Sequence, residues 1–320
     1  MTDKDQVPLP PHGDFFDPRI ESHPRRRWWV WLIPAAILAV LLYYPLAAWQ
    51  ASVIDDDLSY GVESQAGQSK AVAIAAGLLH REVDDHGWTP NDPPFLPSGL
   101  LDDMPAFQIG LAEGVARFVN ALDQAQRQSA PSGDLQQAAS LLRYPPDVWV
   151  IDPSAFWKSV VSSDTQYADA AKALDAYGKA MAQGQAALDR RPAVLAAILT
   201  SMSDQLQDQA GHLASPVTKG GGWLMRRAAV RYYGAKGRAY ADALILRELG
   251  QDYAEVLAER KLTDRWKLVQ GALEQAAAPR PWVVLAGGPD STFVPNHPAV
   301  LGFHLMWARE QIKPVIEALR

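Results

Sequence analysis

The run His80-Arg81-Glu82-Val83-Asp84-Asp85-His86 is the best candidate for metal ligation in this chain. Imidazoles and carboxylates bind zinc and other divalent ions. On a helix His80 and Asp84 share a face, whereas His86 lies well round from His80. A site built from His80, Asp84 and His86 therefore requires the chain to unwind near Gly87. The ordinary reading is a solvated helix end, and no metal or cofactor is expected. His297 and His304 form a second pair, but Pro298 sets His297 at a helix start, off any shared face. For acid–base work on a glycan, a carboxylic acid in a dry pocket is needed, usually with a second carboxylate. Glu113, between Gly110 and Gly114 on a predicted helix, is the position that fits best. Its ordinary reading is an exposed glutamate beside small packing residues. In the basic stretch 226–238, Arg227, Arg231 and Arg238 fall on one helix face, near Trp223, Tyr232 and Tyr233. Such a face can touch anionic lipid or glycan, or can be a solvated face with intrahelical pairing.

No P-loop, dinucleotide-binding glycine pattern, His-Glu-x-x-His or Gly-x-Ser-x-Gly motif is present. The 320 residues include no Cys, which excludes disulfides, thiolate metal sites and a thiol nucleophile. A composition of 48% apolar and 21% charged residues is that of a globular chain. The net charge of −6 argues against nucleic acid as a partner, since such domains are usually basic.

The elements that must position these residues begin with a membrane span. Residues 28–54 carry no charge, and about 20 helical residues cross a bilayer core. Arg25, Arg26 and Arg27 precede the run, and Asp55, Asp56 and Asp57 follow it. The arginines place the N-terminus in the cytoplasm. Trp28 and Trp29 mark one interface, and Tyr43, Tyr44 and Trp49 mark the other, so the lipid bilayer is an expected partner. A cleaved signal peptide is the competing reading, but the run is long and lacks a clear small-x-small exit. Residues 1–27, with five basic and five acidic side chains, read as a disordered cytoplasmic tail. Residues 55–320 hold 25 basic and 31 acidic residues and read as a helical periplasmic domain of one or two lobes, the joint lying near 214–222.

Helical periodicity runs through nearly all of that domain. Residues 69–84 and 104–124 read as helices. Asp152-Pro153 reads as a helix start ahead of Phe156, Trp157 and Val160. From Asp164 to Leu213 a seven-residue register recurs, interrupted at Pro192, where two helices or a kink are expected. A helix from Trp223 is expected to stop at Gly250, Thr263 to cap the next one, and Trp282–Leu285 to form a lone strand. The last helix presents Leu301, Leu305, Ala308, Ile312, Ile316 and Leu319, with a bend expected at Pro314. The expected fold is all-α: a single transmembrane helix, then a multi-helix bundle with a proline-rich loop.

That loop runs through Trp88-Thr89-Pro90-Asn91-Asp92-Pro93 to Pro97 and on to Phe107-Gln108. With the single span and the helical remainder, it resembles an uncharacterised family of bacterial single-pass inner-membrane proteins, known only as a domain of unknown function. The resemblance implies a bacterial envelope location and supplies no activity and no catalytic residues. The expected role is a non-enzymatic scaffold that binds an envelope protein partner or self-associates. The alternatives are an anchored hydrolase of cell-wall glycan or lipid, and a lipid- or small-ligand-binding protein. A deep pocket with convergent polar groups would favour an alternative, and a continuous exposed apolar strip would favour the scaffold.

Overall fold

The structure is a computed structural model that describes residues 29–152, 155–215, 221–281, 283–287 and 294–320. The tail 1–27 with its three arginines, Trp28, Pro153, Lys219, Gly220 and Trp282 lie outside the described residues. The chain divides into two units, Met1–Tyr44 and Pro45–Arg320. Helix α1 (Trp29–Ala51) contains both Pro34 and Pro45. Its segment Trp31–Ala51 has a mean hydropathy of 1.9 and no buried residues, so it is long and apolar enough to cross a membrane. Tyr43 and Tyr44 meet edge to face, and Trp49 is exposed.

The unit from Pro45 to Arg320 is helical with one small hairpin. Its helices are α2 (Lys70–His80), α3 (Asp103–Gln126), α4 (Gly133–Leu141), α5 (Ser163–Ala182), α6 (Pro192–Ala214), α7 (Gly221–Asp252), α8 (Ala254–Glu259), α9 (Thr263–Ala277) and α10 (His297–Leu319). Antiparallel strands β1 (Ile151–Asp152) and β2 (Ala155–Ser159) lie between α4 and α5. The strands replace the helix expected after Asp152. Val148, Val150, Ile151, Phe156, Trp157, Val160 and Val161 make this a β-branched and aromatic stretch, which suits a pleated ribbon. Its ends are tied by Val160 N–H to Val150 C=O at 3.1 Å and Ser163 N–H to Val148 C=O at 3.0 Å.

Helices α3 and α7 form the centre. They pack more extensively than any other pair, because glycines remove the side chains between them. A Cβ at Gly110 would collide with the Gly234 carbonyl oxygen, and one at Gly237 with that of Phe107. Gly114 faces Ala241 in the same seam. Helix α6 lies on α3 and α10, α9 on α7 and α10, and α5 on α2 and α4. Pro192 opens α6, where its missing N–H costs nothing, so the long register is indeed split there. The two halves of that register serve different neighbours. Tyr167, Leu174 and Tyr177 of α5 and Leu199, Leu206 and Leu213 of α6 are all buried.

Four further expectations are corrected. Gly250 does not end α7, which runs on to Asp252, because the glycine gives room to the Trp266 indole of α9. Gly221 and Gly222, read as part of a flexible joint, are the first residues of α7. Thr263 is the first helical residue of α9, and Leu262 holds the cap position. In the expected strand Trp282–Leu285 the described residues 283–285 are not extended in a ladder; the adjacent Ala286 makes a single bridge to Asn296.

A strap, residues 55–60, joins the body by ion pairs and backbone bonds. Asp56 is buried between Lys236 and Arg280. Tyr240 Oη donates to Asp57 C=O at 2.8 Å, and Arg247 donates to the carbonyls of Leu58 and Tyr60 at 2.8 and 2.6 Å. The aspartates flanking the apolar run are thus part of the body's own packing.

Candidate functional site: a polar groove between three helices

An open groove of about 600 Å³ lies where α3, α6 and α7 meet. Helix α3 presents Glu113, Arg117 and Asn120 there, at spacings of four and three, on the face opposite its buried Leu111, Val115 and Phe118. Helix α6 presents Gln205, Asp208, Gln209 and His212, again one helical face. Arg238 comes from α7, and Arg143 follows α4. Ala116 and Leu142 are the apolar residues of the lining.

Several of these side chains are committed to each other. Arg238 Nη2 pairs with Glu113 Oε2. Arg143 donates from Nε and Nη2 to Asn120 Oδ1 at 3.0 and 2.7 Å. Others are not. Gln205 and Gln209 are 3% and 2% exposed, and no oxygen or nitrogen of either amide has a hydrogen-bond partner among the described residues. Buried polar groups are almost always paired, because an orphan costs about 1–3 kcal/mol.

Asp242 lies one helical turn beyond Arg238, 2% exposed, with Oδ2 unpartnered. Burial pushes its carboxyl up to about 7, against the opposing pull of Arg238 and Arg117. Burial likewise lowers the Arg238 guanidinium, with Asp242 acting the other way. Arg117, Ser201, Gln205 and Asp242 share an inner cavity of about 10 Å³, about the size of one water. A second, mainly apolar groove of about 260 Å³ continues from the first. Ala106, Ile109, Leu213, Val230 and Ala235 line it, and it shares Gln209, His212 and Arg238 with its neighbour.

Of the residues singled out in the sequence, Glu113 and Arg238 reach the polar groove, and Arg231 lines its apolar continuation. Glu113 is half exposed at the rim. Arg227, Arg231 and Arg238 do not form one solvated face: Arg227 and Arg231 are exposed, Arg231 donating to Ser215 C=O at 3.1 Å, whereas Arg238 turns into the groove. The metal trio is not brought together. A π-helical turn, Arg81–Asp85, follows α2. His80 bonds Asp84 through Nδ1 at 2.7 Å and Asp175 of α5 through Nε2 at 3.0 Å, while His86 faces Glu82 at 3.4 Å. Among the described residues no group of three or more metal-ligating side chains forms a site. His297 is the first residue of α10, and its Nδ1 accepts from Leu285 N–H at 2.9 Å.

The loop residues are tied to the body. Trp88 Nε1 donates to Pro146 C=O at 2.9 Å, and its ring meets Tyr167 edge to face. Thr89 donates through N–H and Oγ1 to Gln108 Oε1 at 2.9 and 2.7 Å. Asn91 Nδ2 reaches Val148 C=O and Asp164 at 3.1 and 2.9 Å, and Ser98 Oγ bonds Asp92 at 2.5 Å. Pro90 and Pro93 complete that turn.

Asp242, Gln205, Gln209 and Arg117 are the site residues that sequence reasoning missed. A signal for two of them was present. The α6 register Leu199, Met202, Leu206, Leu213 omits a step, and Gln209 fills it. Likewise Asp242 stands in the register of Ala235, Ala239, Leu246 and Leu249. A polar residue on an apolar seam is the mark of a buried polar site. No protein-family model, curated protein or solved structure matches the chain.

Proposed function

We propose that this is a membrane-anchored binding protein of the bacterial envelope whose helical body takes a small polar ligand in the α3–α6–α7 groove. The arginines before α1 support a cytoplasmic N-terminus and a periplasmic body. One observation carries the ligand reading: Gln205 and Gln209 line the groove, are buried, and leave all four amide atoms unpartnered. The amide atoms are themselves shut off from solvent, so a ligand supplies those bonds once the two side chains turn into the groove, which removes the cost of leaving them unpaired. The binding reading is preferred to hydrolysis because Asp242, the one carboxyl here with a raised pKa, lines the inner cavity and not the open groove. The test is native mass spectrometry of full-length protein extracted in nanodiscs. A small molecule that co-purifies with the wild type and is lost from Gln205→Met/Gln209→Met supports the proposal; identical spectra for both would sink it.

A second reading is the scaffold role. Val300, Phe303 and Trp307 of α10 stand at helical spacing on one face and are 52%, 66% and 48% exposed. Such a stripe can meet its own copy across a two-fold axis, and a second copy of the chain is the partner this reading names. Sedimentation of the full-length protein in detergent tests this. A dimer abolished by Phe303→Glu supports the reading, and a monomer at all concentrations removes it.

A further inference from the structure

Resting on the groove reading, we infer that the ligand is an amphipathic anion: its acidic head lies on Arg117 and the Gln205 and Gln209 amides, and its short apolar tail lies between Ile109, Leu213 and Val230. Two grooves of opposite character meet at Gln209, His212 and Arg238. The polar one has only Ala116 and Leu142 as apolar lining residues among ten polar or charged ones, which suits a head group better than a hydrocarbon chain. The apolar one, at about 260 Å³, suits a tail of a few methylenes. Together they fall within the range of small-molecule sites, roughly 300–1,000 Å³.

Charge selects the sign of the head. Glu113 is neutralised by Arg238. Arg143 is bonded to the uncharged Asn120, so its charge is not cancelled. Arg117 makes no hydrogen bond or ion pair among the described residues. Two guanidiniums therefore stand against the single carboxylate of Asp208. Asp242 shares the inner cavity with Arg117; burial pushes its carboxyl up to about 7, so near neutral pH it offsets them only in part. Guanidinium is the group that grips carboxylate and phosphate with paired hydrogen bonds. Turned into the groove, the amides serve the neutral polar atoms of the head, each offering both donors and an acceptor.

The experiment is calorimetric titration of the full-length protein in phosphatidylcholine nanodiscs with hexyl phosphate, inorganic phosphate and hexyl glucoside. Hexyl phosphate should bind at least about tenfold more tightly than phosphate, since the tail removes apolar surface from water. Arg117→Gln, at an exposed position, should weaken hexyl phosphate about tenfold and leave hexyl glucoside unchanged. Val230→Ser should weaken hexyl phosphate about threefold and leave phosphate unchanged. Weakening of hexyl phosphate by added phosphatidylglycerol would support the inference and make a membrane lipid the source. Unchanged binding, with the tail dependence intact, would support it with a soluble amphiphile as the source. Phosphate binding as tight as hexyl phosphate, or glucoside binding tighter than both, would overturn the inference and leave the groove reading standing. Absence of any titration sensitive to Gln205→Met/Gln209→Met would overturn both.

Discussion

Two regions of the body bury polar side chains, with opposite results. At the end of α2, Glu82 is 0% exposed and Arg81 4%; Arg81 Nε and Nη1 are hydrogen-bonded, and Nη2, which has no hydrogen bond, stands in an ion pair with Glu82. Arg81 reaches Glu82 at 3.0 Å and Tyr240 at 2.9 Å, and Gln108 bonds Glu82, Gly87 and Thr89. In the groove Gln205, Gln209 and Asp242 are as deeply buried and lack such partners. A satisfied buried network specifies the fold. An unsatisfied one costs stability, and in the reading proposed above the cluster in the groove is where a ligand is accommodated. Burial alone therefore does not separate structure from site; the accounting of hydrogen bonds does.

That contrast can be broken most severely at the satisfied end. Arg81→Ala leaves Glu82 buried without its counter-charge, and urea denaturation should show a loss of about 3–5 kcal/mol. A loss below about 1 kcal/mol would mean the pair is not the keystone of that network.

The next effect is set by pH. Asp242 has a raised folded pKa of about 7 against 3.8 for a free carboxyl. The folded state thus binds the extra proton between these values, and stability falls as pH rises through that window. Between pH 5 and 8 the loss should be on the order of 2 kcal/mol in the wild type and absent in Asp242→Asn. Equal slopes for both proteins would remove Asp242 as the cause.

Glutamine replacements sharpen the comparison directly. Gln205→Met and Gln209→Met should each raise stability by about 1 kcal/mol, because each removes a buried group that lacks a partner. Gln108→Met should lower it by about 1–3 kcal/mol, because it orphans the Thr89 N–H and the Gly87 carbonyl. Thermal melts of the three variants in nanodiscs decide the matter, and the signs must differ.

The smallest effect is at His80. Burial opposes its protonation, but hydrogen bonds to Asp84 and Asp175 prevail and raise its pKa. Its contribution is complete below the ordinary histidine value and is lost as pH rises through the raised one. For a partly exposed pair it should stay within about 1 kcal/mol. An NMR titration of the His80 ring should show the raised pKa, and Asp175→Asn should lower it; an unchanged midpoint would show that Asp175 does not act on it.

Much of the fold was legible because its signals are local. Apolar residues at spacings of three and four announce α2, α3, α5, α6 and α10, and Pro192 announces a break. Helix α4 was missed because its apolar face is only Leu135, Ala138 and Ala139. The stop at Gly250 was misplaced because the glycine answers to Trp266, sixteen residues away, and not to its own turn. In the site, Glu113 and Arg238 were visible as charges, but as an exposed glutamate and a solvated face; their pairing across α3 and α7 was not.

The sequence by itself determined a charge-free run long enough to span a membrane and a helical body rich in small residues, since composition and period depend only on neighbours along the chain. It also determined that Gln209 and Asp242 stand on apolar seams. Only the tertiary structure decided that Gln108 finds its partners and Gln209 does not. Hydrogen bonds to buried side chains come from whichever helix packs opposite, and that is set by the crossing of α3 with α6 and α7, which lie on the order of a hundred residues further along the chain.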